Sequence, residues 1–201
     1  MEQELKLALK RPTDLARLLR ALPEPRAVIR QSNHYMVCHE NRTGAAGVMV
    51  RLRIEDRGDV TTACLTLKRR VRAQDGVFLS WELEEDMPME HARAVLDEGQ
   101  DLMEVDHRGT RWLAQELKVR SLARQGSLFN LRQVVCLEGY VLEIDQSEFP
   151  DGSVDVEIEV ETEDPEGARR VVSALVTGED IELFEQTRGK YTRYLQRGGL
   201  K

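Results

Sequence analysis

Polar and apolar residues alternate with a period of two along several short stretches of the chain. In the first stretch, Leu5, Leu7 and Leu9 alternate with Glu4 and Lys6. Successive side chains of a β-strand point to opposite faces, so this pattern predicts strands with one apolar and one ionic face. We predict strands at residues 3–9, 33–39, 48–56, 62–71, 77–84, 132–137, 140–146 and 154–162.

Longer stretches with helical spacing are interspersed among these strands. In the first of them, Leu15, Leu18 and Leu22 lie on one side and predict a helix with a core-facing stripe. A proline lies near the start of three of these stretches, where its missing N–H costs little. Helices are predicted at residues 13–22, 89–103, 166–176 and 181–196, while residues 106–126 fit either a helix or a basic loop.

Eight strands are enough to close a small barrel. The turn at Pro150-Asp151-Gly152 is a hairpin signal, which favours antiparallel pairing. Amphipathic helices need an apolar surface to cover, and the outer face of a barrel would supply one. We therefore expect an α+β fold: a closed eight-stranded antiparallel β-barrel with a polar lumen and flanking helices, as one domain over residues 1–201.

The ionic faces of the predicted strands repeat one sign of charge. Arg51 and Arg53 share one face, and Glu157, Glu159 and Glu161 share another. A sheet with a solvated outer face also alternates, and the alternation alone leaves that interpretation open. Neighbours of like charge repel, however, so the sign pattern implies a counter-ion and favours placing the ions inside the barrel.

The composition narrows the class of protein. Apolar residues make up 41% of the chain, which argues against disorder, and the net charge of −7 argues against a general nucleic-acid binder. Cys38, Cys64 and Cys136 show no paired spacing, and the histidines show no zinc-ligand spacing. We find no signal peptide and no membrane-spanning stretch, so we expect a cytoplasmic protein without a membrane partner.

Buried ions need compensation, since each desolvated ion costs several kcal/mol when it is unpaired. A ligand that carries both signs of charge would offset that cost. A magnesium or manganese complex of a linear polyphosphate is such a ligand, because carboxylates bind hard divalent ions while arginine and lysine bind phosphoryl oxygens.

The start of the chain, Glu2-x-Glu4-x-Lys6, resembles the E-x-E-x-K signature of the triphosphate tunnel metalloenzyme, or CYTH, superfamily. Further segments resemble that family in the same order along almost the whole chain. These are Val50-Arg51-Leu52-Arg53 (L-R-L-R), Leu65-Thr66-Leu67-Lys68 (T-L-K), Leu142-Glu143-Ile144-Asp145 (a strand ending in Asp), Glu157-Ile158-Glu159-Val160-Glu161 (E-I-E-x-E) and Gly189-Lys190-Tyr191-Thr192-Arg193-Tyr194 (S-K-Y-x-R-F).

Two segments depart from the family pattern. Many members read N-x-Y-F-D-T where this chain has Asn33 to Cys38, and Val37 replaces their acidic residue. Glu82 lies at about the place where some members have an arginine before an acidic run. The substrate preference of other members therefore does not transfer through these positions.

The resemblance implies a closed tunnel, a requirement for Mg²⁺ or Mn²⁺, and cleavage of a terminal phosphoanhydride bond. We expect a divalent-metal-dependent hydrolase whose substrate is inorganic tripolyphosphate, acting as a monomer or homodimer. A thiamine triphosphatase, a nucleoside triphosphatase or an adenylyl cyclase would use the same tunnel. A non-catalytic polyphosphate-binding module is an alternative of a different class.

The motifs also suggest roles for individual residues. Glu2, Glu4 and Lys6 form the expected catalytic set, in which Glu2 or Glu161 would orient or deprotonate the attacking water. Arg69, Arg70 and Arg72 could extend the anion site, but charge runs usually lie in water, so a solvated hairpin end is the favoured interpretation. The expected phosphate ligands are Lys6, Arg51, Arg53, Lys68, Arg132 and Lys190, and the expected metal ligands are Glu4, Asp145, Glu157, Glu159 and Glu161.

Overall fold

One sheet closes on itself to form a barrel with helices around it. The computed structural model describes residues 1–199. The strands are β1 Glu2–Leu9, β2 Ala27–Val37, β3 Met49–Asp56, β4 Thr61–Gln74, β5 Val77–Met87, β6 Ala123–Leu137, β7 Tyr140–Glu148, β8 Val154–Glu161 and β9 Leu183–Glu185. The helices are α1 Leu15–Ala21, α2 Arg42–Ala45, α3 Met89–Leu96, α4 Arg108–Leu117, α5 Pro165–Thr177 and α6 Lys190–Gln196.

The first strand closes the barrel. The order around the wall is β1, β5, β4, β3, β2, β6, β7 and β8, every neighbour is antiparallel, and β8 pairs again with β1. This arrangement confirms the predicted fold class, a closed eight-stranded antiparallel barrel with flanking helices. Closure leaves none of these eight strands as a free sheet edge.

The apolar core lies outside the barrel wall, in two layers. On one side, α3 and α4 cover Leu52, Leu65 and Leu67, which are at most 1% exposed. On the other side, α1 and α5 cover the apolar faces of β1, β7 and β8, including Leu5 and Ile158. Each large apolar side chain buried in this way stabilises the fold by about 1.5–3 kcal/mol. The lumen is left to the polar faces of the strands.

Two tight hairpins fix the register of the wall. Asp75 and Gly76 connect β4 to β5 with φ angles of 50° and 73°, and Glu138 and Gly139 connect β6 to β7 with 48° and 87°. Two-residue turns with both φ angles positive match the twist of antiparallel strands. Register matters here because a strand that slipped by one residue would turn its ionic face outward.

Some predicted boundaries are wrong. The strand predicted at 132–137 begins at Ala123, and the strand predicted at 33–39 begins at Ala27. The helix predicted at 89–103 ends at Leu96, and Gly99 follows with a left-handed φ of 79°. The ambiguous residues 106–126 contain α4 and the start of β6.

The helix predicted at 181–196 is also wrong in its first half, which contains β9 instead. This short strand pairs with Leu7 to Leu9 of β1, whereas β5 pairs only with Glu2 to Leu5. The backbone of β1 therefore has partners on both sides, which offsets the loss of helix at these residues. No helix within residues 1–199 is long and apolar enough to cross a membrane.

Helix α6 packs against the barrel through a cluster of aromatic rings. The ring of Tyr35 on β2 lies 4.6 Å from that of Tyr191 and 4.8 Å from that of Tyr194. Tyr194 is 2% exposed, and its hydroxyl fills the space beside Gly126 on β6. A Cβ at Gly126 would lie 2.0 Å from that hydroxyl, so this close approach needs a glycine.

Gly126→Ala should therefore push Tyr194 out of its site and lower the free energy of unfolding by about 1–3 kcal/mol. The matched control is Gly189→Ala, because a Cβ there meets no atom within 4 Å and φ is −65°. Denaturant unfolding of both variants measures the difference. Equal stability of the two variants would contradict the packing role of Gly126.

Candidate active site

The barrel lumen is a cavity of about 1180 Å³ that all eight wall strands and α6 help to line. It contains every residue predicted to bind phosphate: Lys6, Arg51, Arg53, Lys68, Arg132 and Lys190. The predicted carboxylates Glu2, Glu4, Asp145, Glu159 and Glu161 also line it. Glu157 lies deeper, is 0% exposed, and contacts Lys190 at 3.0 Å. The structure thus brings the whole predicted set together.

Three carboxylates surround Lys68 on one side of the lumen. Its Nζ lies 3.2 Å from Glu4 and 2.9 Å from Glu82, and it also contacts Glu2. Burial, a hydrogen bond with Glu82 and the charge of Glu4 raise the pKa of Glu2 to about 8. Burial alone would raise the pKa of Glu82, but its hydrogen bond with Glu2 and the charge of Lys68 lower that pKa to about 2. The pKa values of these two neighbouring carboxyl groups are therefore shifted in opposite directions.

A second group of ion pairs centres on Asp145 and Glu159. Arg132 donates two hydrogen bonds to Asp145, of 2.8 and 2.6 Å, and lies 2.9 Å from Glu159. Lys190 enters from α6 and lies 2.8 Å from Asp145 and 2.7 Å from Glu159. Burial alone would raise the pKa of Glu159, but Lys190, Lys6 and Arg132 hold it well below its usual range.

The two arginines of β3 have a different environment. Arg51 donates to Thr66 at 3.1 Å and lies 3.3 Å from Glu84. Arg53 donates to the side-chain oxygen of Asn33 at 3.0 Å and lies 3.4 Å from Glu55. Burial lowers the pKa of Arg53, and the positive charges of Arg51 and Arg132 lower it further. Positive potential in the lumen is therefore least compensated along β3.

Several residues of the site were not predicted as site residues from the sequence. Glu143 lies opposite Glu159 in the register of β7 and β8 and contacts Arg132; its alternation with Leu142 was visible. Arg193 of α6 is 5% exposed and pairs with Glu157 at 2.6 Å, which no periodic signal indicated. Arg70 lines the cavity, so only part of the basic run after Lys68 fits the expected solvated hairpin end.

The lumen offers mainly carboxylate oxygens to a metal, the ligands that Mg²⁺ and Mn²⁺ prefer. Glu4 lies opposite Glu161 in the register of β1 and β8. Within residues 1–199, no three acidic, histidine or cysteine side chains already surround one point. Lysines and arginines lie between the carboxylates instead. The donor set fits a hard divalent cation in its chemistry, and binding requires carboxylates to leave their basic partners.

The sequence profile of the CYTH domain matches residues 1–187. The chain belongs to the CYTH family. CYTH proteins form a metalloenzyme superfamily that generally needs divalent metals. Among curated proteins, none matches the sequence significantly.

Solved structures show the same CYTH fold. A proposed adenylyl cyclase from Hippeastrum, described as having a dominant triphosphatase activity, is 24% identical with a TM-score of 0.89 over 98% of this chain and 96% of that one. A proposed adenylate cyclase from Bacillus halodurans is 20% identical with a TM-score of 0.69 over 96% and 99%. A protein from Pyrococcus horikoshii is 16% identical with a TM-score of 0.64 over 96% and 98%.

Asp145→Asn should lower the free energy of unfolding by about 3 kcal/mol, because it leaves Arg132 and Lys190 buried with less compensation. Glu166→Gln is the control: it removes the same charge from an exposed position on α5, where the nearest cation is Arg169 at 3.7 Å. Its effect should stay within about 0.5 kcal/mol. Denaturant titrations compare the two variants, and a loss below about 1 kcal/mol for Asp145→Asn would show that Asp145 is dispensable for the network.

Proposed function

We propose that this CYTH protein hydrolyses a triphosphate held in the barrel lumen, and that inorganic tripolyphosphate is the substrate. The observation that carries the proposal is the convergence of cations from four strands and α6 on one cavity. Phosphoryl transfer depends on positioning and on electrostatic stabilisation of charge spread over non-bridging oxygens. A chain of three phosphates offers such oxygens along its whole length. The converging residues are Lys6, Arg51, Arg53, Lys68, Arg132 and Lys190.

The relative from Hippeastrum supports this reading, since it shares the fold over 98% of this chain and is described as a dominant triphosphatase. That protein is also named as a proposed adenylyl cyclase, which keeps a nucleoside triphosphate as an alternative substrate for this chain. Aromatic residues of this lumen favour an inorganic substrate over a nucleotide. Tyr35 packs against Tyr191 and Tyr194, and Phe78 lies beneath Lys6 and Arg70. These rings are already occupied by protein side chains.

Substrate binding would exchange counter-ions in the lumen. In the free protein, Lys6 pairs with Glu4 at 3.0 Å and also with Glu159, while Lys68 pairs with Glu2, Glu4 and Glu82. A bound triphosphate would take over these ammonium groups and release carboxylates from them. The arginines of β3 have the fewest carboxylate partners, so they would bind phosphoryl oxygens with the least exchange.

The released carboxylates are the proposed holders of a divalent cation. Glu4, Glu159 and Glu161 would hold it, while Asp145 and Glu157, which are 0% exposed, would keep Lys190 in place. When bound, the cation would neutralise phosphate charge and make the attacking water more acidic. Glu2 and Glu161 line the cavity and are the candidates to orient that water or accept its proton.

Phosphate release from tripolyphosphate, ATP and thiamine triphosphate tests the proposal. Each substrate is assayed with Mg²⁺, with Mn²⁺ and with chelator alone. We expect metal-dependent release, fastest from tripolyphosphate. Faster turnover of ATP or thiamine triphosphate would show that this compound, and not tripolyphosphate, is the preferred substrate. Formation of cyclic AMP from ATP would indicate a cyclase. No release from any substrate, with tripolyphosphate still raising the melting temperature, would indicate a binding module.

Glu4→Gln and Glu159→Gln should each reduce metal-dependent turnover about 100-fold or more, because the amide keeps the shape but removes the charge. Far-ultraviolet circular dichroism should show the same fold as the wild type. Exposed Glu166→Gln provides the control and should retain full activity. Wild-type turnover by either luminal variant would overturn the assignment of that residue.

Glu161→Gln separates metal binding from ion pairing. Glu161 lines the cavity but forms no ion pair with any residue from 1 to 199, unlike Glu4 and Glu159. We expect this variant to need a higher Mg²⁺ concentration for half-maximal turnover, by about tenfold, while its melting temperature stays unchanged. An unchanged Mg²⁺ dependence would remove Glu161 from the ligand set.

A further inference from the structure

The luminal cations differ in the number of carboxylates that hold them. Lys68, Arg132 and Lys190 each contact three carboxylates. Among the residues that the structure describes, Arg51 and Arg53 each have one carboxylate within ion-pair distance, at 3.3 and 3.4 Å. The closest hydrogen bond of each β3 arginine goes to a neutral oxygen instead.

For Arg53, that neutral oxygen belongs to Asn33. The two residues lie directly opposite each other in the register of β2 and β3, and the Nε of Arg53 donates to Oδ1 of Asn33 at 3.0 Å. On its other side, Asn33 lies opposite Leu128 of β6 and donates its Nδ2 to the carbonyl of Leu128 at 3.4 Å. This second bond turns Oδ1 toward Arg53. Asn33 is 3% exposed, so its side chain has little freedom.

An amide oxygen and a carboxylate hold a guanidinium with different electrostatic results. Both accept its N–H groups, but only the carboxylate cancels its charge. The carboxylate nearest to Arg53, Glu55, also accepts from Arg57 at 2.9 Å and from Gln31 at 2.8 Å. Its charge is therefore divided between two arginines. Arg53 is therefore fixed in position, and neighbouring anions neutralise little of its positive charge.

We infer that Asn33 is a positioning residue, which fixes Arg53 through a neutral acceptor and thereby reserves the guanidinium charge for a phosphoryl group of the substrate. The inference rests on the proposed function, because it assumes that Arg53 binds a phosphate of tripolyphosphate. It predicts that tripolyphosphate binding depends more on the charge of residue 33 than on its shape. An aspartate has nearly the same size as the asparagine, but it would act as a permanent competitor for the substrate.

The experiment measures binding of inorganic tripolyphosphate by calorimetry in the presence of chelator, so that turnover does not enter. Asn33→Asp should raise the Kd about tenfold or more. In an Arg53→Gln background the same substitution should change the Kd less than about twofold, because its partner is gone. Asn130→Asp is the matched control: Asn130 is a buried amide of β6 bonded to Gln31 and Ser147 rather than to Arg53.

Steady-state kinetics with Mg²⁺ gives a second readout. Asn33→Asp should raise the KM for tripolyphosphate and change kcat less than about twofold, since Arg53 holds substrate and transition state alike. If Asn33→Asp does not fold, Asn33→Ala tests the same point: loss of the acceptor should raise the Kd about threefold, and only when Arg53 is present.

The outcomes separate the two proposals. Wild-type protein that binds no tripolyphosphate in chelator and also releases no phosphate from it with Mg²⁺ overturns the proposed function and this inference with it. Wild-type protein that binds, together with an equally tight Asn33→Asp variant, overturns the role of Asn33 alone. The role is also overturned if Asn33→Asp weakens binding as much in the Arg53→Gln background as in the wild type, or if Asn130→Asp weakens it as much as Asn33→Asp.

Discussion

The fold depends on ion pairing between the charged side chains that the barrel wall directs into the lumen. A lumen with this many ions is tolerated only because cations of the wall strands and of α6 lie against carboxylates of the wall strands. Glu159, for example, contacts Lys6 of β1, Arg132 of β6 and Lys190 of α6. Such contacts require the observed register at every strand. Buried ion pairs add little net stability over apolar packing, so stability alone does not account for a lumen of this composition.

Stability and chemistry are accordingly placed on opposite faces of the same strands. The leucines of β1, β3 and β4 pack outward under helices, and the ions that alternate with them point inward. This arrangement lets luminal residues serve a ligand without loss of the main apolar core. Helix α6 combines both roles. It contributes Lys190 to the lumen and Tyr194 to an aromatic cluster that packs against the wall.

Strict alternation made most of the site predictable. Glu157, Glu159 and Glu161 repeat one sign beside apolar neighbours, so both the strand and its inward face could be predicted from the sequence. The start of β6 could not, because Gly126 is selected by the hydroxyl of Tyr194 rather than by alternation. Sequence order also cannot show that Asn33 lies opposite Arg53, since that contact depends on the register of two strands. Family motifs located most of the cations and carboxylates but did not show which of them pair.

Strand β1 shows a consequence of closure for how the protein reaches its native state. It pairs with β5, β8 and β9, and its contacts with β8 join Lys6 to Glu159 across more than three quarters of the chain. Pairings so distant in sequence must pay loop-closure entropy before they gain contacts, and they slow folding. On a ribosome, β1 emerges before β5, β8 and β9, so its strand pairings stay incomplete until β8 and β9 have been synthesised. Strand β1 is therefore made before the other strands of the barrel wall and completed after them.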